Sequence, residues 1–297
     1  MTIGSTAARA RRAAGLSRTG AAAMVLALAG GLGAMWEAAA ASAASAASAT
    51  LEAAATPSPT LRRILSTGVL RVCIWPDYYG ITYRHPRDET LSGLDIDLSA
   101  ELAKELGVRL RYIESSFQRV VTDVDTERCD VAMFAVAVLP QRRTVVAFTQ
   151  PYLQSDIYGV TTRTSRVIKN WEDIDRFGVV VAVQAGTFME TVMRTALAQA
   201  TLLVVQPPAT RERELESGRA DVFMTDYPYS RRLLDNADWA RLVAPPQPFH
   251  VMPYAYAVKR GDAGWLARMD DFVARIKRDG RLRDAAARHG LSAIVVP

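Results

Sequence analysis

Residues 130–138 read DVAMFAVAV, one acidic residue followed by eight apolar ones. A strand with one wet face alternates apolar and polar side chains, whereas a strand covered on both faces reads as an unbroken apolar run, the mark of a parallel sheet between helices. The neighbouring segments fit that reading. Upstream, Val69–Ile74 (VLRVCI) and Val108–Ile113 are β-rich runs, and Leu94–Leu106 between them is a helix. Its Leu98, Leu102 and Leu106 recur every four residues, Asp95 and Asp97 suit the positive N-terminal end, and Gly107 stops it. Gln118–Glu127 is expected to be helical. Downstream the pattern recurs: strand Gly178–Val183, helix Thr187–Ala198, strand Leu202–Val205, helix Thr210–Ser217, strand Asp221–Met224 and helix Tyr227–Asn236. Trp265–Ile276 closes the series as an amphipathic helix. Alternation of this kind predicts α/β architecture, and two series predict two α/β lobes.

The chain has 297 residues and a formal charge of +5. Residues 1–47 hold Arg9, Arg11, Arg12 and Arg18 against the single acid Glu37, so the remainder carries only +2, too little to argue for nucleic acid. The same region has the layout of an export signal: a basic start, the uncharged apolar stretch Gly20–Trp36, then small-residue runs offering A-x-A cleavage sites. We therefore expect a cleaved signal over 1–47, a linker over 48–60 and a periplasmic location. The two cysteines, Cys73 and Cys129, fall in or beside buried strands and are expected to stay unbridged, as small hydrophobes. His85, His250 and His289 lie far apart, no Cys/His metal spacing occurs, and no cofactor is expected.

Ligands of open α/β sheets meet the loops at the carboxyl ends of the strands. Those loops carry Tyr78 in an aromatic turn, Arg142, Gly186-Thr187 and Asp226. An arginine can grip a carboxylate with two parallel hydrogen bonds, the amides of a helix start attract the same anion, and an aspartate accepts from an ammonium. Together they suit an α-amino acid, although each has an ordinary structural reading: surface charge for Arg142, helix cap for Asp226, turn for Gly186, core for Tyr78 and Phe117.

From Leu70 to Leu291 the chain resembles the family 3 extracellular solute-binding proteins of amino-acid ABC transporters. The segments that carry the resemblance include LSGLDIDLSAELAKELGV, RCDVAMFAVAVLPQRRTVVAFTQPYL, VAVQAGTF, ELESGRADVFMTD and RIKRDGRLRDAAARHG. The resemblance implies a type II periplasmic-binding-protein fold, with each lobe a mostly parallel sheet flanked by helices and two crossing hinge strands. Residues 61–159 plus 253–297 would form lobe 1 and 160–252 lobe 2. By position, Arg142 would bind the ligand carboxylate with the Thr187 backbone, Asp226 the amine, and Tyr78 and Phe117 would flank the side chain. Ala135 and Phe188 would add lining. Ala137 and Leu139 stand where the family places Ser or Thr, which implies an apolar or aromatic ligand. The implied partners are that solute and an inner-membrane ABC permease, and the protein is expected to be a monomer.

One branch of this family, the cyclohexadienyl dehydratases, turns prephenate or arogenate into phenylpyruvate or phenylalanine, and RADVFMTD and QPFHVMPYAYAV resemble it. Its general acid is a glutamate two residues after the Gly-Thr threonine. Here that position is Met189, and Glu190, one residue on, is turned by about 100° around a helix. The expectation is therefore a binding protein, not an enzyme. A periplasmic sensor read by a separate signalling partner is a third reading.

Overall fold

The computed structural model describes residues 58–297, the side chain of Arg232 excepted. The expected signal over 1–47 and residues 48–57 of the expected linker lie outside the described residues. The last linker residues are already a helix start. Ser58 Oγ accepts from the Leu61 amide at 3.0 Å, and Pro59, whose fixed φ suits the first turn, opens α1 (Pro59–Thr67).

In chain order there follow β1 (Val69–Ile74), β2 (Asp77–Tyr78), β3 (Thr82–Arg84), β4 (Leu91–Ser92), α2 (Leu94–Leu106), β5 (Arg109–Glu114), α3 (Val120–Asp125), β6 (Val131–Ala137), α4 (Pro140–Arg143), β7 (Val146–Phe148) and β8 (Leu153–Ser155). Then come β9 (Ile157–Thr162), β10 (Val180–Gln184), α5 (Phe188–Ala196), β11 (Thr201–Val205), α6 (Arg211–Glu216), β12 (Val222–Asp226), α7 (Tyr227–Asn236) and β13 (Ala240–Val243). The chain ends with β14 (Met252–Lys259), α8 (Ala263–Arg278) and α9 (Arg281–Arg288).

Two sheets organise these elements. The first runs β5-β1-β6-β14-β7, with β8 also on β14; the second runs β11-β10-β12-β9-β13. In each, three strands are parallel and the fourth is antiparallel to them. The fourth strands are exchanged: β9 follows the last strand of the first sheet but pairs in the second, and β14 follows the second sheet but pairs in the first. The chain therefore changes sheet at Asp156, and the divisions expected at 159/160 and 252/253 fall inside β9 and β14. Every residue of β6 is buried, as its apolar run requires.

Cys73 and Cys129 form a disulfide with Cα atoms 5.5 Å apart, contrary to expectation. Each is buried, as the sequence indicated, but β1 and β6 are direct neighbours, with Cys73 opposite Ala132, and Asp130 N donates to Arg71 O. Cys129 thus enters the sheet just before the residue that bonds Arg71 of β1, within bridging range of Cys73. Adjacency of two parallel strands 56 residues apart is not readable from either run alone.

β6 is also kinked. Ala135 has φ 48°, a left-handed conformation that costs an L-residue about 1–2 kcal/mol, and the β6–β14 register shifts there. The buried carboxylate of Asp95, at the start of α2, holds the kink. It accepts from the Ala135 amide at 3.0 Å, Tyr152 Oη at 2.5 Å and Tyr256 Oη at 3.0 Å. Burial raises the Asp95 pKa to about 7 against the pull of those donors. Among the described residues, no helix is long and apolar enough to cross a membrane.

Candidate binding cleft

The carboxyl ends of β1, β6, β10 and β12 converge on one cavity. It is lined by Trp75, Tyr78, Phe117, Ala135, Ala137, Arg142, Thr187, Phe188, Met189, Arg211, Thr225, Asp226, Tyr229 and Tyr254. The residues singled out from the sequence are there except Leu139 and Gly186, the latter sitting one residue before Thr187 and touching the site through its carbonyl. The cavity encloses about 10 Å³, the space of about one water molecule.

Arg142 is placed by α4, a single turn begun by Pro140 just after β6. Its side chain is buried. Nη1 donates to Ala137 O at 3.0 Å, and Nη2 to Gly186 O at 2.7 Å, reaching from the first sheet's loops to the second's. Among the described residues no carboxylate pairs with it. Burial pushes its pKa down to about 10, partly offset by Tyr254, which still leaves it a cation at neutral pH. A buried charge without a counter-charge is costly, so such groups are usually paired or bind something.

Gly186 has φ 77°, and a Cβ there would stand 2.6 Å from the Gln118 backbone nitrogen; only glycine lets the two loops approach this closely. Thr187 caps α5, with Oγ1 donating to Gln184 O and accepting from Glu190 N. Met189 is buried in the cleft wall. Glu190 is turned away from it: Oε2 accepts from Gly186 N at 2.7 Å and Oε1 pairs with Arg194. Glu190, which the helix turns away from the Met189 position, thus secures the Gly186 turn.

Asp226 is the last residue of β12 and the N-cap of α7, with Oδ1 accepting from Tyr229 N at 3.3 Å. Its Oδ2 accepts from Tyr254 Oη at 2.7 Å and from Tyr78 Oη. Burial raises its pKa; the two tyrosine hydroxyls, the Tyr229 amide and Arg211 pull the other way. Tyr78 and Phe117 belong to an aromatic cluster, with ring centroids 5.5 Å apart and Trp75 5.1 Å from Phe117. Phe134 joins it, 5.3 Å from Phe117. Ala137 lines the cavity, whereas Leu139 is the buried N-cap of α4 and is not part of the lining.

Sequence reading missed Trp75, Arg211, Thr225, Tyr229 and Tyr254 as lining residues. Arg211 lies in RERELE, which looks like a solvated helical face, yet only 3% of it is exposed. Tyr254 comes from the returning strand β14, whose place beside β6 depends on the strand exchange.

A sequence profile of the bacterial extracellular solute-binding proteins, family 3, matches residues 70–292. The chain is 30% identical to the cyclohexadienyl dehydratase of Pseudomonas aeruginosa over 224 residues, 75% of this chain and 83% of that protein. It is 23% identical to the L-cystine-binding protein TcyJ of Escherichia coli over the same length, with the same shares. Among solved structures, an ancestral amino-acid-binding protein described as a precursor of cyclohexadienyl dehydratase superposes with a TM-score of 0.71 at 28% identity, over 77% of this chain and 98% of the other. With the family profile spanning both sheets and the cleft between them, the chain belongs to the bacterial extracellular solute-binding proteins, family 3.

Proposed function

We propose that this protein captures a small carboxylate-bearing, amino-acid-like solute with an apolar or aromatic body in the periplasm, and delivers it to an ABC permease as a monomer. The single observation that carries the reading is Arg142, a buried cation in the lining of the cleft with no carboxylate partner among the described residues. Asp226 stands on the other sheet to receive an amine, and Trp75, Tyr78, Phe117 and Phe188 offer apolar walls. The disulfide accords with an oxidising compartment.

The test is isothermal calorimetry on a ligand found by a thermal-shift screen of amino acids, keto acids and aromatic precursors, since a solute bound only by the native state raises its stability. Removing one side of a buried charge pair costs roughly 2–5 kcal/mol, so Arg142→Ala should weaken affinity by about thirtyfold or more. Unchanged affinity would sink this binding mode.

The second reading is a dehydratase, favoured by the 30% identity to one. Against it, Met189 carries no proton and Glu190 is engaged with Gly186 and Arg194. The carboxyl group left in the cleft is Asp226, whose pKa burial shifts upward, the direction a general acid needs. Incubation with prephenate decides: phenylpyruvate formed above background, and abolished by Asp226→Asn, would establish the enzyme.

A further inference from the structure

The cleft holds a second buried cation that a simple zwitterion would leave unanswered. Arg211 opens α6 and lines the cavity. Its Nη1 donates to Met224 O at 2.9 Å, and its guanidinium carbon stands 4.5 Å from the Tyr229 ring centroid and 5.3 Å from that of Phe223. Its Nε is buried with no hydrogen-bond partner, and no carboxylate among the described residues forms an ion pair with it. Thr225 Oγ1, on a residue lining the same cavity, is likewise buried and unpartnered. Two donor groups left without acceptors in one cavity are costly unless something else supplies the acceptors.

The lining contains two cations, Arg142 and Arg211, and one anion, Asp226. An α-amino acid with an uncharged side chain brings one charge of each sign and leaves the cleft with an excess positive charge. A solute with one further negative charge balances it. We propose that Arg211 and Thr225 form a second oxyanion subsite, so that the solute carries a distal carboxylate or phosphonate beyond its apolar body. This rests on the reading in which Arg142 holds the first carboxylate.

Calorimetry with matched pairs tests it: 4-carboxy-L-phenylalanine against L-phenylalanine, L-2-aminoadipate against L-norleucine, and L-2-amino-4-phosphonobutyrate against L-glutamate to separate phosphonate from carboxylate. The anionic member of each of the first two pairs should bind about tenfold tighter or more, the usual effect of a buried charge-assisted hydrogen bond. Arg211→Met keeps the length and apolar contacts of the side chain, and should erase that preference, bringing the anionic and neutral member of each pair to within about threefold of each other. Thr225→Val should narrow the same preference, and it stands in if R211M fails to fold by circular dichroism. A preference absent in the wild type, or unchanged in R211M and T225V, overturns the second subsite. Binding of every probe indifferent to Arg142→Ala overturns the parent reading instead, and no binding by any probe overturns both.

Discussion

At the scale of single residues, the cleft is a set of polar groups whose charges are set by burial. Asp226 shows the consequence most directly. Its pKa in the folded protein stands above its ordinary 3.8, chiefly through desolvation. Its contribution to stability is therefore complete below the ordinary value and is lost as pH rises through the raised one. A bound ammonium reverses the preference, because it favours the carboxylate and drives the proton off. An amine-bearing solute should accordingly bind more weakly as pH falls through the raised value, and release protons around it. Calorimetry in two buffers of different ionisation enthalpy measures this release. The dependence should vanish in Asp226→Asn and with the matching keto acid; if it persists with the keto acid, Asp226 does not hold an amine.

At the scale of elements, what was readable in the sequence follows from how each strand is covered. β6 is a continuous apolar run because every residue of it is buried, β1, β10 and β12 are apolar but for Arg71, Gln184 and Thr225-Asp226, and all four were found. The short antiparallel strands β7, β8 and β13 were missed, as were β9 and β14, whose partners lie in the sheet they cross into. The site shows the same division. Arg142, Thr187 and Asp226 stand at the ends of legible strands, while Arg211 is one arginine among the charges of α6 and is distinguished only by tertiary burial. The disulfide belongs here too, since it joins β1 to the entrance of β6. Closing a loop with its ends 56 residues apart removes unfolded-chain entropy worth about 4 kcal/mol. The double variant Cys73→Ala/Cys129→Ala should therefore lose about 2–5 kcal/mol in urea unfolding, with ligand affinity nearly unchanged. Equal midpoints for variant and wild type would show that the bridge contributes nothing to stability.

At the scale of the whole molecule, the cleft is closed by contacts between the loops of the two sheets. Arg142 reaches Gly186, Tyr78 reaches Asp226, and Gln118 Nε2 donates to Gln206 Oε1 at 2.7 Å. With about 10 Å³ inside, this conformation has no room for a solute larger than water, and we expect the sheets to part to receive one. The parting has to be absorbed where the chain changes sheet, and Asp156 occupies one crossing while holding the other. Its carboxylate accepts from Ile157 N at 2.8 Å, Phe249 N at 2.8 Å and His250 N at 2.7 Å. Hinge positions of this kind take up large backbone changes during domain closure. Asp156→Ala frees the segment before β14 from the turn before β9, and should shift the solute-free population toward open forms. Apparent affinity scales with the fraction of binding-competent molecules, so every solute should weaken by the same factor, about threefold to tenfold, although residue 156 touches none of them. Substitutions at Arg142 or Arg211 should instead discriminate between solutes by their charges. Small-angle scattering of the solute-free variant, beside calorimetry with two unlike ligands, measures both effects. A lower melting temperature with unchanged affinity and unchanged radius of gyration would make Asp156 a brace for the fold and not a control on closure.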